Sequence, residues 1–148
     1  PQYSKVLLAM RWGSQMPENS HSLAYDADFF KKFDLMLQKL SSEKQAVYLM
    51  LDNPNLSYNG LRAYILSYRI PGFNQTLVID EQNTFKGNER IKKLAEKYAN
   101  VHIIDAVAYI PENFKINGLP VYSDRDHINP YGGRELAKRF SEKHTLLQ

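Results

Sequence analysis

The stretch "AVYLMLDNP", Ala46 to Pro54, decides the fold. Ala46 to Leu51 are apolar without a polar alternation, the pattern of a strand buried on both faces. Asp52-Asn53-Pro54 then closes the run as a turn. Two further runs of the same kind flank it. On one side is "KVLLAM", Lys5 to Met10, which ends at Arg11-Trp12-Gly13; on the other is "VHIID", Val101 to Asp105. Between the runs the spacing changes to that of helices. Phe29, Phe30, Phe33, Met36, Leu37 and Leu40 mark one buried face over Tyr25–Leu40, and Ile91, Leu94, Ala95 and Tyr98 mark another over Asn88–Tyr98. Buried strands alternating with helices give an α/β fold with a mostly parallel sheet, and such sheets bind ligands beyond the carboxyl ends of their strands.

The remaining segments carry weaker patterns. Ser14–Ser22 reads as a surface loop. Asn55–Gln75 is irregular with a short helix around Leu61–Tyr68, and "TLVID", Thr76–Asp80, is a short strand or an extended loop. Glu112–Pro120 reads as a loop containing Asn117-Gly118. A last helix starts with Asn129 as N-cap and Pro130 at its first position, a favoured pair. It runs to about Lys143 with Leu136, Ala137 and Phe140 facing inward.

The chain of 148 residues is 43% apolar and 24% charged, the make-up of one globular domain with a core of its own. Its net charge is +3, with Lys and Arg dispersed, so no basic stripe points to nucleic acid. No apolar run approaches the roughly 20 residues of a membrane span, and no signal peptide is visible, so this stretch reads as soluble. It has no cysteine, hence no disulfide and no thiolate metal site. An apolar strand that begins at Val6 points to a fragment of a longer domain.

The chemistry-bearing stretch is "YSDRDHINPYGG", Tyr122 to Gly133. A histidine activates a hydroxyl when a carboxylate fixes its tautomer, and Asp124 and His127 lie within one turn of each other. Taken alone, Asp-x-x-His is also an ordinary polar turn before a helix. A metal centre is disfavoured, because His21, His102 and His144 show no ligand spacing. His102 falls in a strand pattern, and His144 suits the negative end of the last helix. Trp12, the single tryptophan, is either a core plug or an indole N–H donor at the sheet edge. Tyr48, Tyr58, Tyr64 and Tyr68 serve packing, or stack on sugar rings.

Four blocks taken together, "KVLLAMRWGS", "VYLMLDNP", "NERIKKLAEKYANVHIID" and "PVYSDRDHINPYGGRELAKRF", resemble the SGNH (GDSL-type) domain. The similarity is closest to the version fused behind the membrane-embedded acyltransferase family 3 domain of bacterial carbohydrate O-acetyltransferases. The resemblance implies a flavodoxin-like three-layer α/β/α sandwich that lacks its first strand here, residues 1–148 being the C-terminal portion of a single domain. It implies a Ser-His-Asp triad with His127 as base and Asp124 as its orienting carboxylate. The family's Gly-Asp-Ser block is not present; Ser14 is not flanked correctly, so the nucleophile is expected upstream of Pro1. Where relatives place an oxyanion-hole Asn, this chain has Met10-Arg11-Trp12, which makes the Trp12 indole the expected substitute donor. A cysteine pair often found before the Asp-x-x-His block is replaced by "YIPENFKINGLPVY".

The implied activity is transfer of an acetyl group to a cell-envelope polysaccharide, without metal or cofactor. The implied partners are a glycan acceptor, an acetyl donor, the membrane domain of the parent protein and the missing N-terminal part. The implied place is the periplasmic face of the bacterial inner membrane. A carbohydrate esterase and a catalytically inactive glycan-binding module are the rivals. The absent strand would have paired with Val6–Met10, whose apolar edge is otherwise open.

Overall fold

The computed structural model describes residues 3–17, 20, 21, 23, 25–80 and 84–143. Strands β1 (Lys5–Ala9), β2 (Ala46–Met50), β3 (Asn55–Leu56), β4 (Ile79–Asp80), β5 (Val101–Ile104), β6 (Lys115–Ile116) and β7 (Leu119–Pro120) occur in that order along the chain. The helices are α1 (Phe29–Glu43), α2 (Gly60–Arg69), α3 (Thr84–Ala95) and α4 (Pro130–Ser141). These elements fall into two compact units, residues 1–52 with 81–105 and residues 53–80 with 106–148.

The first unit contains the parallel sheet, in the order β1-β2-β5. Its register places Leu8 beside Leu49 and Leu49 beside Ile103, one row of a continuous apolar face. Phe30, Phe33 and Leu37 of α1 and Ile91, Leu94 and Ala95 of α3 pack on that face around Val47, Leu49 and Val101. Tyr98 joins this core at its margin and donates its hydroxyl to the Asp34 carboxylate at 2.7 Å. That hydrogen bond and the Lys97 ammonium hold the Asp34 carboxyl below the usual range, the lysine contributing more. The three runs that read as strands are strands. The helix expected over Tyr25–Leu40 begins only at Phe29, because Asp26 turns the chain first and accepts the Asp28 N–H. The helix expected from Asn88 begins at Thr84 and ends at Ala95.

β1 departs from the expectation of full burial. Among the described residues it pairs with β2 alone, and Leu7 is 55% exposed. A strand with one neighbour keeps one row of backbone groups unpaired and half of its side-chain surface open. His102 projects from the opposite face of β5, exposed, with its ring 5.4 Å from that of Tyr48.

The second unit is built on short antiparallel pairs, β3 with β4 and β6 with β7. The expected strand Thr76–Asp80 is strand only at Ile79–Asp80, and the expected short helix is α2, Gly60–Arg69. The expected loop Glu112–Pro120 contains the β6–β7 hairpin, turned by Asn117 (φ 49°) and Gly118 (φ 78°). Positive φ at both central residues is what a two-residue hairpin turn demands, and Asn-Gly supplies it at little cost. Leu56, Phe114, Ile116, Val121, Tyr122 and Leu136 form the core. Helix α4 is capped as expected: the Asn129 side chain accepts the Gly132 N–H at 2.7 Å, and Pro130 opens the helix. Its inward face is narrower than expected, with Leu136 buried but Ala137 exposed. His144 lies outside the described residues.

Candidate active site

The Asp124–His127 loop is a tight polar turn fastened at both ends. The Ser123 N–H donates to the His127 carbonyl at 2.9 Å, and Tyr122 and Ile128 form a bridge beneath it. Inside the turn, Asp124 Oδ1 accepts the backbone N–H groups of Asp126 at 2.9 Å and of His127 at 2.8 Å. Its other oxygen, Oδ2, lies 2.9 Å from His127 Nδ1. Asp124 can do both because a carboxylate bends back readily onto the N–H groups two and three residues ahead.

The two N–H donors hold the Asp124 carboxyl far below its usual range, with the Asp126 amide the larger cause and the His127 amide next. The group is therefore an ionised, acceptor-only carboxylate near neutrality, so His127 Nδ1 must be the donor between them. That tautomer puts the imidazole lone pair on Nε2. The imidazole is 67% exposed. A basic ring nitrogen held by an ionised carboxylate at hydrogen-bond distance has the chemistry to draw a proton from a nearby hydroxyl.

Sequence reasoning found this pair but missed what steadies it. Asp126 Oδ1 also lies 3.1 Å from His127 Nδ1, so two carboxylates face one ring nitrogen. Asn53 Nδ2 donates to the Asp126 carbonyl at 2.8 Å, and the Gly60 N–H, opening α2, donates to the Asp124 carbonyl at 2.9 Å. Arg125 reaches back to the Leu56 carbonyl at 2.9 Å and pairs with Asp80 at 3.3 Å. The buried Tyr122 hydroxyl donates to the Pro54 carbonyl at 2.9 Å. The one sequence signal for these partners was the Asp52-Asn53-Pro54 turn at the end of a buried strand.

Asp124, Asp126 and His127 also bring three potential metal-ligating atoms within 4.8 Å of one another. One of those groups, Asp124, already accepts two backbone N–H groups and faces the imidazole, so this donor set is largely used by the loop itself.

Trp12 corrects an expectation. Its side chain is 0% exposed, and its indole N–H donates to the Met50 carbonyl at 2.8 Å. The ring packs against Phe33 at 5.2 Å, under an α3 so close that a Cβ on Gly87 would lie 2.6 Å from the Trp12 carbonyl carbon. The donor expected at an oxyanion hole is thus taken by a strand-end carbonyl, and Trp12 serves the core of the first unit. Ser14 donates its hydroxyl to the Arg11 carbonyl at 2.7 Å.

Residues 1–142 match the family described as "SGNH domain (fused to AT3 domains)". Among curated protein sequences nothing matches the chain. Among solved structures, the fold is similar to that of the periplasmic domain of a lipopolysaccharide acetyltransferase from Salmonella ser. Paratyphi A, with a TM-score of 0.62 at 14% identity. The match covers 95% of this chain and 56% of that one, so this chain spans little more than half of its structural neighbour. No helix among the described residues is long and apolar enough to cross a membrane. With an α/β fold around a parallel sheet and a profile match over nearly its whole length, the chain belongs to the family of SGNH domains fused to AT3 domains.

Proposed function

We propose that this domain transfers an acetyl group to a hydroxyl of a cell-envelope glycan through a serine acyl-enzyme, with His127 as general base and Asp124 as its orienting carboxylate. The observation that carries the reading is the 2.9 Å contact between His127 Nδ1 and an Asp124 carboxylate kept ionised by two backbone N–H groups. The serine is supplied by sequence outside residues 1–148. His127 Nε2 takes the proton from the serine hydroxyl as its oxygen attacks the acetyl carbonyl carbon. The tetrahedral adduct collapses, the donor's leaving group departs with that proton, and acetyl-serine remains. A sugar hydroxyl then attacks the ester while His127 takes its proton, and returns it to the departing serine oxygen. Water in place of the sugar gives hydrolysis by the same steps. The family's fusion to AT3 domains supports a membrane-embedded acyltransferase partner as the source of acetyl groups, and likeness to a periplasmic domain supports the periplasmic side as the place of this one.

A fluorophosphonate probe on the full parent polypeptide tests this reading. The expected adduct is on a serine upstream of Pro1 and disappears in His127→Ala. An unlabelled protein, or labelling indifferent to His127, would replace the enzyme reading with a glycan-binding module.

We also propose that the open edge of β1 takes a parallel strand from upstream sequence. An apolar groove lined by Leu8, Met10, Phe29, Phe33 and Met36 runs beside this strand. In the full polypeptide, the β1 amides are expected to exchange with deuterium as slowly as those of β2. Fast exchange confined to β1 would show that the edge stays open.

A further inference from the structure

The second unit holds a cleft of about 350 Å³, within the size range of small-ligand sites. Its buried lining comes from Ala63, Phe114 and Tyr122, with Gly60 at the start of α2. Its exposed rim is polar: Asn74, Gln75, Thr76, Glu112 and Asn113. Tyr64 forms part of the wall, its ring 5.0 Å from that of Tyr68 and 5.6 Å from the Lys115 ammonium.

We infer that this cleft is a binding subsite for a neutral saccharide. Glu112 and Lys115 are the charged lining residues, one of each sign, so the cleft carries no net charge with which to select a phosphate or a polycation. A fatty acyl chain would prefer an apolar wall throughout, and here amides and a hydroxyl ring the opening. A sugar ring matches both parts. Its C–H face covers aromatic and aliphatic carbon, and its hydroxyls, donor and acceptor at once, pair with amide and carboxylate side chains around the edge. Phe114 forms the buried floor of the cleft, with φ at 54° where it closes the turn in which its N–H donates to the Pro111 carbonyl at 2.8 Å.

The position suits an acceptor. Gly60 lines the cleft and its N–H donates to the Asp124 carbonyl, so a single backbone hydrogen bond separates the saccharide subsite from the turn that carries the orienting carboxylate. The subsite deepens the acyl-transfer reading by naming where its glycan is held, and rests on that reading for the sugar's role as acceptor, not for binding itself.

The test is saturation-transfer NMR on the full polypeptide carrying His127→Ala, with methyl glycosides and disaccharides of neutral hexoses, deoxyhexoses and N-acetylhexosamines as probes, and octanoate for comparison. At least one saccharide is expected to bind, and Asn74→Ala and Glu112→Ala are each expected to weaken it by about fivefold or more, the loss of a hydrogen bond or two. Both side chains are exposed, so an unchanged melting temperature will accompany the loss. Failure of every saccharide, binding indifferent to both substitutions, or binding of octanoate alone overturns the subsite. Saccharide binding that depends on the cleft in a protein no fluorophosphonate labels would leave the subsite standing and remove the enzyme.

Discussion

Replacing His127 with Ala in the full polypeptide is expected to lower the proposed acetyl transfer by about three orders of magnitude or more, since residues of a triad act as a unit. The fold should survive, because the imidazole is largely exposed and the turn's backbone hydrogen bonds do not need it. Asp124→Asn is expected to cost about 10² to 10⁴. An amide can present its N–H to the ring nitrogen, favouring the tautomer whose lone pair faces the wrong way. Asp126→Asn should cost far less, because its contact to His127 Nδ1 is the longer at 3.1 Å against 2.9 Å for Asp124. Steady-state kinetics on the three variants with one acetyl donor decides the order. Equal effects at 124 and 126 would make the carboxylates interchangeable orienters.

The pH dependence follows from the direction of the Asp124 shift. A carboxyl with its pKa lowered on folding stabilises the native turn fully above the ordinary carboxylate range, about pH 4, and the contribution is lost progressively as pH falls from there through the lowered native value. Between pH 8 and pH 5 the Asp124 carboxylate therefore stays ionised and keeps both amides, and the Asp126 and His127 N–H groups are expected to stay equally protected from hydrogen exchange, relative to their intrinsic rates, across that window.

Gly132→Ala is expected to destabilise the second unit by about 3 kcal/mol, at the upper end of overpacking costs. An added Cβ would lie 2.4 Å from the Val121 carbonyl oxygen and 2.8 Å from Val121 Cγ1. Neither can retreat. Val121 is wholly buried in the core, and its carbonyl also accepts the Asn129 N–H at 2.9 Å, next to the cap of α4. The strain would pass three residues along to Asp124, so activity should fall with stability. Gly133 is the control: a Cβ there meets nothing within 4 Å. Gly133→Ala is expected to stabilise by about 0.5 kcal/mol through the reduced freedom of the unfolded chain. Thermal unfolding of the two variants side by side checks the contrast, and equal melting points would mean that α4 is free to shift on Val121.

The legible part of the site was its local part. Asp124 and His127 meet within a single turn, and Asn129-Pro130 caps a helix with its own side chain, so nearest-neighbour chemistry was enough to read both. The clamps were not legible, because Asn53 lies 73 residues from Asp126 and Leu56 lies 69 residues from Arg125. The hairpin was within reach of the sequence: Asn117-Gly118 between short apolar runs is its signal, weakened by strands of two residues each.

The sequence by itself determined the α/β class, the three parallel strands, the helices between them and the Asp-x-x-His turn, because hydrophobic period and capping are set by residues a few positions apart. Tertiary structure alone decided the fate of Trp12. An indole N–H is equally able to serve an oxyanion or a strand, and which acceptor it meets depends on Met50, 38 residues away in the chain. Tertiary structure also decided which β1 side chains are buried, Leu8 packing against the core while Leu7 is exposed, since burial is a property of neighbours that no strand's own residues record.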